Sequence, residues 1–202
     1  MVLDIVQVGN PVLRARARAL SPNEIRSNTT RKLIDDMRET MHAAPGVGLA
    51  SPQVGLPLQL AVIEDREEWL KDLTPEELTL RDRRPVPFHV IINPRIVDFS
   101  NDKAEFFEGC LSLSGFVAIV SRSRRVRVEY LDEDAEPKLI DASGWYARIL
   151  QHEIDHLRGN IYIDRMLSRT FGSINNFKQF WQSKAIASVQ EELDSTRAPA
   201  RE

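Results

Sequence analysis

At 202 residues the chain can bury one sizeable core, and the lack of a Gly/Ser/Pro-rich linker or repeat period predicts a single domain over residues 1–202. Hydrophobic residues at 42% and charged residues at 28% exclude a disordered chain, and a net charge of −3 excludes the broad basic surface that nucleic-acid binding demands. The single cysteine, Cys110, excludes an intrachain disulfide and a cysteine-rich closed zinc site, and no apolar run is long enough to span a membrane.

These exclusions predict a reducing compartment, most simply the cytoplasm. The segment Met1–Leu20 alternates apolar residues but lacks a signal-peptide apolar region, and its arginines are interleaved. An organellar leader is therefore read as absent or already removed, which keeps the organelle matrix as the alternative address. Ser21-Pro22-Asn23-Glu24 has capping-box spacing, and Leu33, Ile34, Met37 and Met41 recur at helical spacing, so a helix is expected over about 22–44. Pro45-Gly46-Val47-Gly48 ends it. Leu58–Glu64 and His89–Pro94 read as strands, flanking a charged surface excursion of about Asp65 to Pro87 with a short helix. Arg125, Arg127 and Glu129 alternate with Val126, Val128 and Tyr130, the period of an antiparallel strand with one wet face. Helical spacing returns over about 143–157 and stops at Gly159. NIYID (Asn160–Asp164) reads as a strand, and an amphipathic helix is expected over about 174–193. Strands interrupted by separated helices, without regular alternation, predict an α+β fold.

The run His152, Glu153, Ile154, Asp155, His156 has the HExxH pattern. On a helix the two histidines lie about 40° apart around the axis and one turn apart along it, where both imidazoles reach one ion. Glu153 then stands beside the ion without ligating it, placed to take a proton from water and return it to a leaving group. The pattern suggests a zinc endopeptidase, and Gly159 falls where HExxHxxGxxH has its glycine. Tyr162, however, occupies the place of the third histidine, and the next glutamates, Glu191 and Glu192, lie in the polar C-terminal helix.

The third ligand is therefore sought upstream, among His42, His89 and Cys110. Cys110 follows Gly109, which permits close backbone approach, and a thiolate there gives a Cys-His-His set with one open position. His42 and His89 are read as structural or surface histidines. Gly46–Gln53, GVGLASPQ, forms a tight loop ending in a side-chain amide, without the lysine of a phosphate loop.

In order and spacing, GVGLASPQ, EGCLS (Glu108–Ser112) and QHEIDHLRG (Gln151–Gly159) resemble the three motifs of peptide deformylase, over about Val8 to Phe171. GWYARILQHEIDHLRGNIYIDRM is similar to the type 1 subgroup of organelles and some bacteria, whereas Leu111-Ser112 is similar to the bacterial form. Ser51 departs from the commoner alanine. The resemblance implies an α+β fold with antiparallel sheets around the metal-bearing helix. It implies metal ligation by Cys110, His152 and His156, with iron(II) as the usual ion and zinc, nickel or cobalt as substitutes. It further implies Glu153 as general acid and base, and Gln53 with the Leu111 N–H as oxyanion donors. Gly48, with Gly109 nearby, would lie along an extended N-formylmethionyl peptide, and formate would be released. Such a substrate is a nascent chain, which implies transient ribosome proximity and no recognition of nucleic acid or membrane by the chain itself.

Spacing adds a pocket. Ile149 and Trp145 precede His152 by three and seven residues and offer an apolar wall for a methionine side chain, with Val47 and Phe106 opposite. Arg148 is either a partner of Glu108 that orients the site or a solvated arginine. The remaining readings are a metal-binding module without catalysis and a thiol hydrolase with Cys110 as nucleophile, which would survive chelation.

Overall fold

The computed structural model describes residues 1–195. The elements in chain order are α1 (Pro22–Ile25), α2 (Asn28–Ala43), β1 (Gly48–Ala50), β2 (Leu60–Asp65), α3 (Glu67–Leu70), α4 (Pro75–Arg81), β3 (Val86–Phe99), β4 (Lys103–Cys110), β5 (Leu113–Ser123), β6 (Arg125–Leu131), β7 (Pro137–Ser143), α5 (Gly144–Leu157), β8 (Gly172–Ser173), α6 (Ile174–Asn176) and α7 (Ile186–Ser195). They build a mixed fold of two antiparallel sheets, one of five strands in the order β1-β2-β3-β6-β7 and one of three in the order β4-β5-β8.

The period of the strands explains the layering. In β2, Ala61 and Ile63 join the core around α5, while Leu60 and Val62 join the core around α1 and α2. Ile91 of β3 likewise faces the α5 side and its neighbours Val90 and Ile92 the α2 side. The larger sheet is thus covered on both faces at this end, which is why LAVI reads as a continuous apolar run rather than an alternating one. At the far end, β6 alternates as expected, with Val126 and Val128 buried and Arg127 paired to Asp141 at 2.7 Å on the wet face. Among the described residues no helix is long and apolar enough to cross a membrane.

Four segments depart from the sequence expectation. The helix expected over about 22–44 is two helices, because Ser27 caps a second start: its Oγ accepts from Thr30 N at 3.2 Å and donates to Glu24 O at 2.7 Å. NIYID is not a strand; Tyr162–Asp164 form one 3-10 turn that buries the Tyr162 ring to 1% exposure. The C-terminal helix expected over about 174–193 is interrupted. α6 passes into a π-turn at Phe177–Trp181, where Gln182 N bonds Phe177 O, and α7 begins only at Ile186. The wider turn lets the Phe177 ring lie 4.6 Å from that of Phe107, while Val189 of α7 is fully buried. The charged excursion holds two short helices, α3 and α4, and is tied back by a bidentate pair from Arg83 to Asp65 at 2.8 and 2.9 Å. The last residues of the tail, 196–202, lie outside the described residues.

Candidate active site

Helix α5 begins at Gly144, whose φ of +56° turns the chain out of β7; a Cβ there would meet the Asp82 backbone. The helix presents His152, Glu153 and His156 to the end of β4. Here a register shift between Gly109 and Cys110 interrupts the pairing with β5 and turns the thiol inward. Cys110 Sγ lies 3.2 Å from His156 Nε2, and the two imidazole rings stand 5.0 Å apart. One ligand atom from each of Cys110, His152 and His156 falls within 4.8 Å of the others, a group able to hold a metal ion. The donor set of one sulfur and two imidazole nitrogens suits a borderline or soft divalent ion. His42 and His89 stand elsewhere, against Glu64 and Tyr146 respectively.

Behind the histidines lies a buried charge chain. His152 Nδ1 bonds Glu108 Oε2 at 3.0 Å, which leaves Nε2 for the ligand group. Glu108 also takes a bidentate pair from Arg122 at 3.0 and 2.9 Å and a contact from Arg148 Nη1 at 2.5 Å. Arg148 is therefore paired, and it further donates to the carbonyls of Val120 and Ala104. Arg122 also bonds Asp155, which Arg165 grips at 2.6 and 2.7 Å. Burial opposes the charge on Glu108, but Arg122 and His152 outweigh it and hold its carboxyl well below the usual range. Sequence reading did not find Arg122 or Asp155. A signal existed in β5, where Ala118, Val120 and Arg122 share the buried face, so a charge occupies a core position.

Glu153 is 4% exposed, and among the described residues its Oε2 has no hydrogen-bond partner. Burial pushes its carboxyl up to about 7. Gln53 is held from two sides: Oε1 accepts from Ala50 N at 2.8 Å, and Nε2 points to Cys110 Sγ at 3.5 Å and Ser112 Oγ at 3.3 Å. Gln53, Glu108, Cys110, Arg148, His152 and Glu153 open on one cavity of about 640 Å³, whereas His156, Arg122 and Asp155 lie outside its lining. Val47, Gly48, Gly109, Leu111, Trp145 and Ile149 line it, whereas Phe106 stands behind the wall, edge-on to the Trp145 ring at 6.1 Å. Ile174, which sequence reading left in the C-terminal helix, also reaches the cavity.

A family model described as polypeptide deformylase matches residues 2–171. Peptide deformylase 1A of Arabidopsis thaliana, named chloroplastic/mitochondrial, is 48% identical over 173 residues, covering 86% of this chain and 64% of its own. Peptide deformylase 3 of Streptomyces avermitilis is 45% identical over 172 residues, 85% of this chain and 74% of its own. This chain spans slightly less than two thirds of the length of two plant relatives, 64% of the Arabidopsis thaliana protein and 62% of peptide deformylase 1A of Solanum lycopersicum. Among solved structures, the peptide deformylase of Ehrlichia chaffeensis superposes with a TM-score of 0.70 at 36% identity, covering 98% of this chain and 99% of its own. A class I type b peptide deformylase from Acinetobacter baumannii, bound to Met-Ala-Ser, gives a TM-score of 0.73 at 32% identity, covering 82% and 99%. Plant organellar and bacterial proteins both stand among these relatives, and by sequence and fold together this chain belongs to the polypeptide deformylase family.

Proposed function

We propose that the chain is a single catalytic domain that hydrolyses the N-formyl group from N-formylmethionyl nascent peptides, releasing formate. The observation that carries this reading is the convergence of the Cys110, His152 and His156 ligand atoms beside Glu153, a buried carboxylate with an unpartnered oxygen. On α5, the metal-bearing helix of this reading, His152 and His156 join Cys110 in holding one divalent ion, natively iron(II), with zinc, nickel or cobalt as substitutes. When bound, the ion supplies Lewis acidity at the formyl oxygen and a more acidic water.

The chain's own groups do the rest. Glu153 takes a proton from the attacking water and delivers it to the departing peptide nitrogen. Its buried carboxyl, with a pKa raised to about 7, suits a group that must both accept and give a proton near neutrality. Gln53 Nε2 and the Leu111 N–H stabilise the negative charge that develops on the formyl oxygen. Glu108 fixes the tautomer of His152, and Arg122 and Arg148 keep Glu108 ionised.

Among the described residues β1 is an edge strand that pairs with β2 alone, so an extended peptide can add beside Gly48. The first side chain would then enter between Val47, Trp145 and Ile149, with Phe106 as backing and Gly109 below. The tripeptide Met-Ala-Ser in a solved relative supports a substrate that begins with methionine. Comparison with the family gives no support to the endopeptidase reading, since the relatives are deformylases. The site of action follows the substrate, in a bacterial cytoplasm or an organelle matrix where translation starts with formylmethionine, with transient proximity to the ribosome.

The test is a formate-release assay on formyl-Met and acetyl-Met peptides, with metal analysis of the same anaerobic preparation. A formyl carbonyl held by Gln53 Nε2 and the Leu111 N–H in this enclosed corner would leave little room for a methyl, so the formyl peptide should be strongly preferred. Comparable kcat/KM for the two would defeat the reading, as would turnover that survives complete chelation.

A further inference from the structure

Tyr162 stands where the pattern HExxHxxGxxH has its third histidine, and the mechanism above gives it no part. The chain nonetheless brings it back to the ligand group. Past the end of α5, Gly159 takes a φ of +79°, and a Cβ there would lie 2.6 Å from the Arg14 carbonyl oxygen. The 3-10 turn that follows is closed by Asp164, whose Oδ2 accepts from Ile161 N at 2.8 Å. This turn buries the Tyr162 ring in a cluster with Leu13, Ala118 and Val120, and Cys110 and Leu113 pack against that cluster. The ring also lies nearly parallel to that of His152, with 18° between planes and centroids 6.4 Å apart.

Packing alone would be served as well by phenylalanine, whereas a buried hydroxyl needs an acceptor. The Tyr162 hydroxyl donates to Phe116 O at 3.1 Å. In the ladder of β4 with β5, Gly109 stands opposite Val117, so regular pairing would set Cys110 opposite Phe116. Instead the register shifts and Cys110 pairs with Leu113. β4 thus passes over Ser114, Gly115 and Phe116, and Tyr162 holds the last of them by its carbonyl. We infer that Tyr162 is a positioning residue for the metal centre, its hydroxyl fixing the register shift that turns the Cys110 thiol toward His152 and His156. The inference rests on the deformylase reading above, in which those three residues hold the ion.

The experiment compares the full chain with its Tyr162→Phe variant, which keeps the ring and removes the hydroxyl. Cobalt(II) is the probe, because its thiolate charge-transfer absorption reports the bond to Cys110, and its affinity is read by competition with a chelator. Tyr162→Phe should bind cobalt about 10-fold more weakly, the low end of what groups that orient metal ligands contribute, and its thiolate band should shift or weaken. Circular dichroism and urea unfolding of the apo protein establish that the variant is folded. A folded Tyr162→Phe with wild-type cobalt affinity and an unchanged thiolate band would overturn the inference. A variant whose only change is a lower urea midpoint would overturn it too, since Tyr162 would then serve packing alone. Either result leaves the deformylase reading standing. A wild type that takes up cobalt without a thiolate band and releases no formate from formyl-Met peptide would overturn both.

Discussion

Gly48 and Glu153 occupy one space: a Cβ built on Gly48 would lie 2.6 Å from the carboxyl carbon of Glu153. The glycine is demanded by this approach and not by its backbone conformation, since its φ is not in the left-handed region. Gly48→Ala should therefore displace the carboxylate while leaving Cys110, His152 and His156 in place. Turnover should fall by about two orders of magnitude, the low end of what a general acid and base contributes, with metal content unchanged. Loss of metal in that variant would show that the strand, and not the carboxylate, had moved.

Cys110 supplies the only sulfur of the ligand group. Cys110→Ser replaces a thiolate with a neutral hydroxyl, a far poorer ligand for a soft or borderline ion. Metal affinity and activity should drop together, read by equilibrium dialysis and formate release. Stoichiometric metal in the variant would remove Cys110 from the ligand set, and a thiol hydrolase would instead lose activity while remaining insensitive to chelators.

Glu108 is shared by Arg122, Arg148 and His152 in the interior. Glu108→Ala strands two buried guanidinium groups, and removing one partner of a buried ion pair costs about 3–5 kcal/mol. It also frees the His152 ring, and loss of such an orienting partner weakens metal binding about 10–100-fold. Urea unfolding of the apo protein isolates the first effect, and metal titration reads the second. Wild-type stability in urea would mean that Arg122 finds full compensation in Asp155.

The elements that carry the site were legible where the signal is local. Helix α5 shows helical spacing and a clear stop at Gly159, and its histidine pair needs no tertiary information. The strands β2 and β3 were visible as short apolar runs, although only the packing shows that both faces are covered. The break between α1 and α2 went unread because the apolar spacing continues through it, while the cap at Ser27 is a single side chain. Partners far apart in sequence left no local trace: Glu108 meets His152 across 44 residues, and Arg122 meets Asp155 across 33. Ile174 was hidden for the same reason, since it reaches the cavity only through the pairing of β8 with β5.

The central claim is that Glu153 moves protons while Cys110, His152 and His156 hold the ion. Glu153→Gln keeps size and hydrogen bonding but removes the basic carboxylate, so assistance to the attacking water and to the departing nitrogen is lost at once. Metal content, peptide affinity and formate release measured on one preparation decide it. The account predicts a metal-replete variant that binds formyl-Met peptide nearly normally while kcat falls by at least about 100-fold. A metal-replete variant with near wild-type turnover would contradict it.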